Sequence, residues 1–293
     1  MLNIILAISL ITSSLFSIHS KEVKSISHQI KLSQKVRETS GLIYYQNDVW
    51  TINDSGDKAN LYRISLQSGE VIQTIHIQNA KNIDWEDIAQ DDDYIYIGDT
   101  GNNRGNKNTF RIYQISKKHI PKQLTNCTIS AEIITFQYED QGSDLLAYQH
   151  DFDCEALISI NGEIGLFSKN WASGNTNYYI IDKSTGTANK KATFASSGVI
   201  TAADYDVKND IVFLTSYQYK NDSFFPYLVC IKNFSTKRPK TEEYQLEKLN
   251  HFQVEGVCII NNEVFISNEE TSHAPPSIHK VSIKQTTKLQ SAP

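Results

Sequence analysis

Short runs of alternating apolar and polar residues recur along the chain between residues 26 and 284, separated by turns rich in Asn, Asp and Gly. A period of two buries one face of a strand, so these runs predict β-strands and no helix of ordinary length. Residues 115–124, ended by Pro121, read as one turn and a loop. Five segments repeat one order: an acidic or small residue, a short apolar strand, a tight polar turn, and a second strand that ends in polar residues. They start at Ser40, Glu86, Glu155, Thr201 and Glu255, so the intervals are 46, 69, 46 and 54 residues. A third alternating strand follows in every segment and a fourth in four of them. A spare alternating stretch, residues 26–32, precedes the first segment. Pairing it with residues 278–283 would supply the missing fourth strand of the last segment and close a ring. Four strands per repeat with circular closure predicts an all-β chain, a five-bladed β-propeller closed by an N-terminal strand over residues 26–284. Six blades are the alternative, if the 69-residue interval hides a degenerate one.

The composition, 40% hydrophobic and 21% charged, is that of a globular chain, and 15 Tyr and 12 Phe against 6 Pro suit strands. Lys and Arg number 28 against 33 Asp and Glu, a net charge of -5, which excludes a nucleic-acid binder working by bulk attraction. Residues 1–20 read as a signal peptide, with an apolar run over 2–16 and Ser20 before Lys21-Glu22. That run is short for a spanning helix, and an uncleaved anchor is the alternative. The expected product is a monomer, secreted or periplasmic, with no membrane span after cleavage and a flexible tail at residues 285–293. Cys127, Cys154, Cys230 and Cys258 lie too far apart for a zinc or C-x-x-C motif. Export permits disulfides, and three pairings stay open. Cys154 and Cys258, in apolar strand patterns, read as small buried hydrophobes.

In an antiparallel four-stranded blade, the loop before the first strand and the loop after the second lie at the same end. The first set holds Glu38, Asp84, Glu86, Asp151, Asp153, Glu155 and Glu255; the second holds Asn53, Asp54, Asp99, Asn102, Arg104, Lys169 and Glu269. All should crowd one face around the central channel. Oxygen ligands with few cations among them suit a hard ion, so Ca²⁺ is the expected cofactor, held by Asp54, Glu86, Asp99, Glu155 and Glu255. Arg104 or Lys169 would neutralise developing charge, and Asp153 or His150 would activate water. The plainer alternative is that Glu86, Glu155 and Glu255 accept backbone amides of the next blade and fix its packing. A third reading is a binding surface for an extracellular glycan or protein, with Trp85, Trp171, Tyr217, Tyr219, Phe224 and Phe225 as a stacking platform. No G-x-S-x-G or H-E-x-x-H occurs.

The segments Ser40-Gly41-Leu42, Trp50-Thr51-Ile52-Asn53-Asp54-Ser55-Gly56, Asp84-Trp85-Glu86-Asp87-Ile88-Ala89, Tyr96-Ile97-Gly98-Asp99-Thr100-Gly101-Asn102-Asn103, Asp153-Cys154-Glu155-Ala156-Leu157, Thr201-Ala202-Ala203-Asp204 and Glu255-Gly256-Val257 resemble secreted bacterial propeller proteins of unassigned function. More distantly the chain is similar to the esterase-like phytase propellers, and its repeats resemble those of the calcium-dependent apyrase, gluconolactonase and paraoxonase propellers. These resemblances imply a central Ca²⁺ and hydrolysis of a small-molecule phosphate or other ester. Lys169 and Thr201 stand where a lactonase-type set would carry Asn or Asp.

Overall fold

The computed structural model describes residues 20–283. Strands β1 (Lys21–Glu22) and β2 (Ser25–Lys31) precede the first meander, β3 (Thr39–Tyr45), β4 (Asp48–Asn53), β5 (Asn60–Ile64) and β6 (Val71–Ile77). The second comprises β7 (Trp85–Gln90), β8 (Tyr94–Asp99) and β9 (Phe110–Ser116), then an added strand β10 (Asn126–Ile129), then β11 (Glu132–Tyr138). The third is β12 (Cys154–Ile160), β13 (Glu163–Ser168), β14 (Asn175–Asp182) and β15 (Thr187–Ala195). The fourth is β16 (Val199–Asp206), β17 (Ile211–Lys220), β18 (Ser223–Lys232) and β19 (Lys240–Gln245). The last is β20 (Val254–Ile260), β21 (Glu263–Asn268) and β22 (Ser277–Ser282). Helical turns among the described residues are three short 3₁₀ segments, Gln34–Val36, Lys117–His119 and Glu247–Leu249.

Consecutive strands of each group pair antiparallel, and β2 pairs with β22 to complete the last group, as the spare N-terminal stretch requires. The strands form four hydrogen-bonded sheets, because the second and third groups fuse where β11 meets β15 in a two-residue parallel ladder. The long interval holds the edge strand β10, laid parallel on β6, and the loop 139–153. The first strands lie side by side in a closed circuit: β3 against β7, β7 against β12, β12 against β16, β16 against β20, and β20 against β3. This is a propeller-like all-β architecture.

Local chemistry explains the elements. Asn161 and Gly162, Asn261 and Asn262, and Gln46 and Asn47 all take positive φ at hairpin tips, the geometry whose twist matches the flanking strands. The outer strand β6 alternates, with Gln73, Ile75 and Ile77 buried and Ile72 exposed, whereas the inner strands are almost wholly buried. Apolar side chains fill the spaces between neighbouring groups. Trp50 and Ile52 meet Trp85 and Ile97 between the first two, and Leu42 and Val49 meet Cys258 and Phe265 where the last meets the first. Burying an apolar face costs a lone meander nothing less than a partner on each side, so the groups stabilise one another in sequence.

Polar ties cross the central axis. The buried Asp87 carboxylate accepts amides from Leu157 of β12 (2.7 Å) and Ala203 of β16 (3.1 Å), and Asp204 accepts Ile259 of β20 (2.8 Å). Gly41, at φ +65°, makes room for Asp87, since a Cβ there would lie 2.4 Å from its Oδ1. All four cysteines are free thiols, with Cys154, Cys230 and Cys258 buried. The signal peptide expected at 1–20 lies outside the described residues apart from Ser20, as does the tail 285–293. No helix among the described residues is long and apolar enough to cross a membrane.

Candidate functional site

Every inner strand carries a β-bulge near its start. The register shifts around Glu86, Glu155, Thr201 and Glu255, and between Ser40 and Ile43 in the first group. A bulge inserts an unpaired residue and re-aims its side chain, which is why these positions, and not their neighbours, line the channel mouth. A second set stands just past the end of four second strands, Asp54, Thr100, Lys169 and Glu269, and within the longer β17 at Tyr217. The chain therefore sends two side chains per group to one rim.

The two sets meet. Carboxylate oxygens of Asp54, Asp84 and Glu86 lie within 4.8 Å of one another, and so do those of Glu86, Asp153 and Glu155. The two triads differ in what already holds them. Asp153 accepts the Asn102 amide (2.5 Å) and the Trp171 indole N–H (2.8 Å), one on each oxygen. Glu155 is ion-paired with Lys169, at side-chain exposures of 4% and 6%. The Lys169 ammonium also sits 5.0 Å from the centre of the Trp171 ring, 5.3 Å from that of Tyr217, and 3.3 Å from the Tyr217 hydroxyl. In the other triad, Lys107 donates to Asp84 (2.8 Å) from a half-exposed position, and Asp54 accepts the amide of Ser55. Glu86, shared by both triads and 5% exposed, receives no hydrogen bond on its carboxylate among the described residues.

Electrostatics follow from this crowding. Burial, then the carboxylates of Glu155, Asp54, Asp153 and Asp84, hold Glu86 well above the usual range. Burial lifts Asp54 to about 6 and Glu255 to about 7, the latter against the pull of Lys169 and of the Gln253 amide. Glu269 rises to about 9 through burial and the nearby Glu255 and Asp54. Burial pulls Lys169 down, but Glu155, Tyr217, Glu255 and Asp153 outweigh it and keep the ammonium charged. The mouth thus holds more carboxyl groups than its two lysines can match, and crowding favours protons on several of them.

Several expected residues fall elsewhere. Asp99 is buried behind the mouth, where it accepts the Asp84 amide (3.1 Å) and positions that residue. Arg104 is exposed and makes no ion pair among the described residues; Lys107, three residues on, reaches the acids instead. Asn102 accepts the Lys107 amide (2.9 Å) and folds that loop back, a closure with no sequence signature beyond the Asn and the glycines. His150 is buried with its Nδ1 accepting the Phe152 amide (3.1 Å), and its ring packs on Gly105. Backbone amides of other groups are accepted by Asp87, Asp153 and Asp204, whereas among the described residues none is accepted by the carboxylates of Glu86, Glu155 or Glu255. Of the aromatic residues, Trp85 is fully buried between the first two groups and is lost to any platform, while Trp171, Tyr217, Phe224 and Tyr219 stay at the mouth side.

No protein-family model and no curated protein matches the chain. Among solved structures it is similar to a hypothetical protein from Leishmania major, at 9% identity over 88% of this chain and 91% of that one, with a TM-score of 0.52. It is also similar to a luciferin-regenerating enzyme, at 8% identity over 89% and 96% with a TM-score of 0.48. A third likeness is to hydrazine synthase from Kuenenia stuttgartiensis, at 13% identity over 84% and 74% with a TM-score of 0.43. At 9% identity the likeness to the Leishmania major protein is one of fold alone.

Proposed function

We propose that the protein is an exported five-bladed propeller whose acidic mouth holds a divalent cation, Ca²⁺, and hydrolyses an ester or phosphate ester. Five blades rather than six accord with the closed circuit of five inner strands. The observation that carries the cation reading is Glu86: a carboxylate 5% exposed and without a donor among the described residues, between two further pairs of carboxylates. Such a group is costly unless a cation or proton compensates it. Asp54, Asp84 and Glu86 are the residues that would hold the ion: both Asp153 oxygens are taken and Glu155 is locked to the buried Lys169, whereas Asp54 meets one backbone amide and Asp84 the half-buried Lys107, each on one oxygen. This replaces Asp99 with Asp84 in the expected ligand set and leaves Glu255 outside it.

Bound Ca²⁺ would polarise a phosphoryl or carbonyl oxygen. Among the chain's own groups, Glu255, held near 7, is poised to take a proton from water at neutral pH. Lys107 takes the charge-neutralising role first given to Arg104, and Lys169 keeps Glu155 in place. Asp153 orients Trp171 and the Asn102 amide. Calorimetric titration of Ca²⁺ tests the cation site, with Glu86→Gln expected to weaken binding at least tenfold. Equal binding by that variant, or none by the parent, sinks it. A screen of phosphate esters, aryl esters and lactones with added Ca²⁺ or chelator tests the hydrolase. Turnover abolished by chelator is expected, and none under either condition removes the enzymatic half.

A second reading, a binding propeller without catalysis, is favoured by the exposed ring of Tyr219 beside Phe224. Ligand binding without turnover would support it.

A further inference from the structure

Two histidines meet at the mouth end of the last group, apart from the acidic triads. His251 lies in the loop that leads into β20, and His273 in the loop between β21 and β22. Their ring centres are 5.7 Å apart with planes inclined by 32°, and both side chains are exposed. A serine holds each ring: Ser223 Oγ lies 2.9 Å from His251 Nδ1, and Ser272 Oγ lies 3.0 Å from His273 Nδ1. The backbone is held as well. His251 takes φ +74°, an uncommon conformation for a residue with a side chain, and its amide donates to the Phe224 carbonyl (2.8 Å). Thr271 Oγ1 accepts the amides of His273 (3.2 Å) and Ala274 (3.1 Å), which fixes the second loop.

Fixing two exposed side chains costs conformational entropy, and neither ring belongs to the apolar core that would repay it. Their chemistry supplies another reason. A hydroxyl can accept as well as donate, so each ring can keep its proton on Nδ1 and leave the Nε2 lone pair free. A hydrogen bond on the far nitrogen is how proteins orient the imidazoles that ligate metals. Two imidazoles sharing one ion through Nε2 bonds of about 2.0–2.1 Å stand roughly 5 Å apart, centre to centre, so an adjustment of under about 1 Å brings this pair onto an ion. Neutral ring nitrogens suit a borderline dication and not the hard Ca²⁺ proposed for the carboxylates. We infer that His251 and His273 form a second metal site, for Zn²⁺, with water completing the tetrahedron. The site depends on neither the Ca²⁺ site nor the hydrolase proposed above.

The test is calorimetric titration of the protein with Zn²⁺, in excess Ca²⁺ to occupy the carboxylates, together with imidazole nitrogen NMR spectra. Zn²⁺ is expected to bind and to move the Nε2 signals of both histidines. His273→Ala and His251→Asn, the latter because Asn tolerates positive φ, should each weaken Zn²⁺ at least roughly tenfold and leave the unfolding temperature in chelator unchanged. Ser223→Ala and Ser272→Ala remove only the bonds that orient the rings and should weaken it about threefold or more. No Zn²⁺ binding by the parent, parental affinity in either histidine variant, or NMR shifts confined to other residues overturns the inference. Glu86→Gln should keep the parental Zn²⁺ affinity; a tenfold loss there places the ion among the carboxylates and overturns it too. Zn²⁺ held by the histidine pair in a protein that takes up no Ca²⁺ supports the inference while removing the Ca²⁺ reading.

Discussion

Replacing Lys169 by Met removes the ammonium and keeps an unbranched apolar stem of similar length. Lys169 and Glu155 are almost fully shielded from solvent, so their pairing is a buried one. Removing one partner of a buried pair costs about 3–5 kcal/mol, because the remaining charge is left without compensation. Here the remaining Glu155 would face Glu86 and Asp153, whose oxygens lie within 4.8 Å. Loss of the contacts to the Trp171 and Tyr217 rings adds to this in the same direction. For a domain of this size each kcal/mol moves the melting temperature by roughly 2–4 °C, so Lys169→Met should lower it on the order of 10 °C. Thermal unfolding followed by circular dichroism at neutral pH, in chelator, measures it. Adding Glu155→Gln to that variant should recover part of the loss, since the uncompensated charge goes with it. Added Ca²⁺ should raise the melting temperature of Lys169→Met more than that of the parent, because Glu155 becomes free to bind it. A single variant within about 2 °C of the parent, or a double variant less stable than the single, would refute the reasoning.

Between pH 7 and 9 the folded protein holds protons on Glu255 and Glu269, with values of about 7 and about 9, that the unfolded chain has released. Fewer protons on the unfolded state make stability fall as pH rises through this window. The urea midpoint should therefore drop from pH 7 to 9, less steeply in Glu269→Gln, and a midpoint that rises in the parent contradicts it. His279, held near 4 by burial, opposes this trend only at lower pH. Asp87→Ala strips the acceptor from the amides of Ile88, Leu157 and Ala203, at about 1–3 kcal/mol each, so a loss of at least 3 kcal/mol is expected in denaturant melts. Asp87→Asn, which keeps one oxygen, should lose less, and an Ala variant of parental stability would exclude this role. A Cβ at Gly101 would lie 2.0 Å from Glu86 Oε1, so Gly101→Ala should displace that carboxylate and weaken Ca²⁺ at least tenfold in calorimetry. Unchanged Ca²⁺ affinity would separate Glu86 from the ion.

The strand pattern was legible because it is local. The period-two alternation of β6, the left-handed turn residues at Asn161-Gly162, and the recurrence of acids at bulged positions all depend on neighbours within a few residues. Even the closure of the ring followed from one spare strand and one missing one. The same repeat placed Glu86, Glu155 and Glu255 at one mouth.

What each acid does there was decided at a distance. Glu155 finds Lys169 and Asp84 finds Lys107 because separate loops return to the same rim. Asp87, one residue beyond Glu86, turns inward and takes amides from strands 70 and 116 residues away. Trp85, beside the same carboxylate, faces the preceding meander and is buried. Along a strand, adjacent side chains point to opposite faces, so sequence proximity to the mouth says little about membership of it. Composition and periodicity set which elements form. Which charge meets which counter-charge, and which carboxylate is left with none, is a property of the closed ring, where burial removes the water that would otherwise have answered each of them equally.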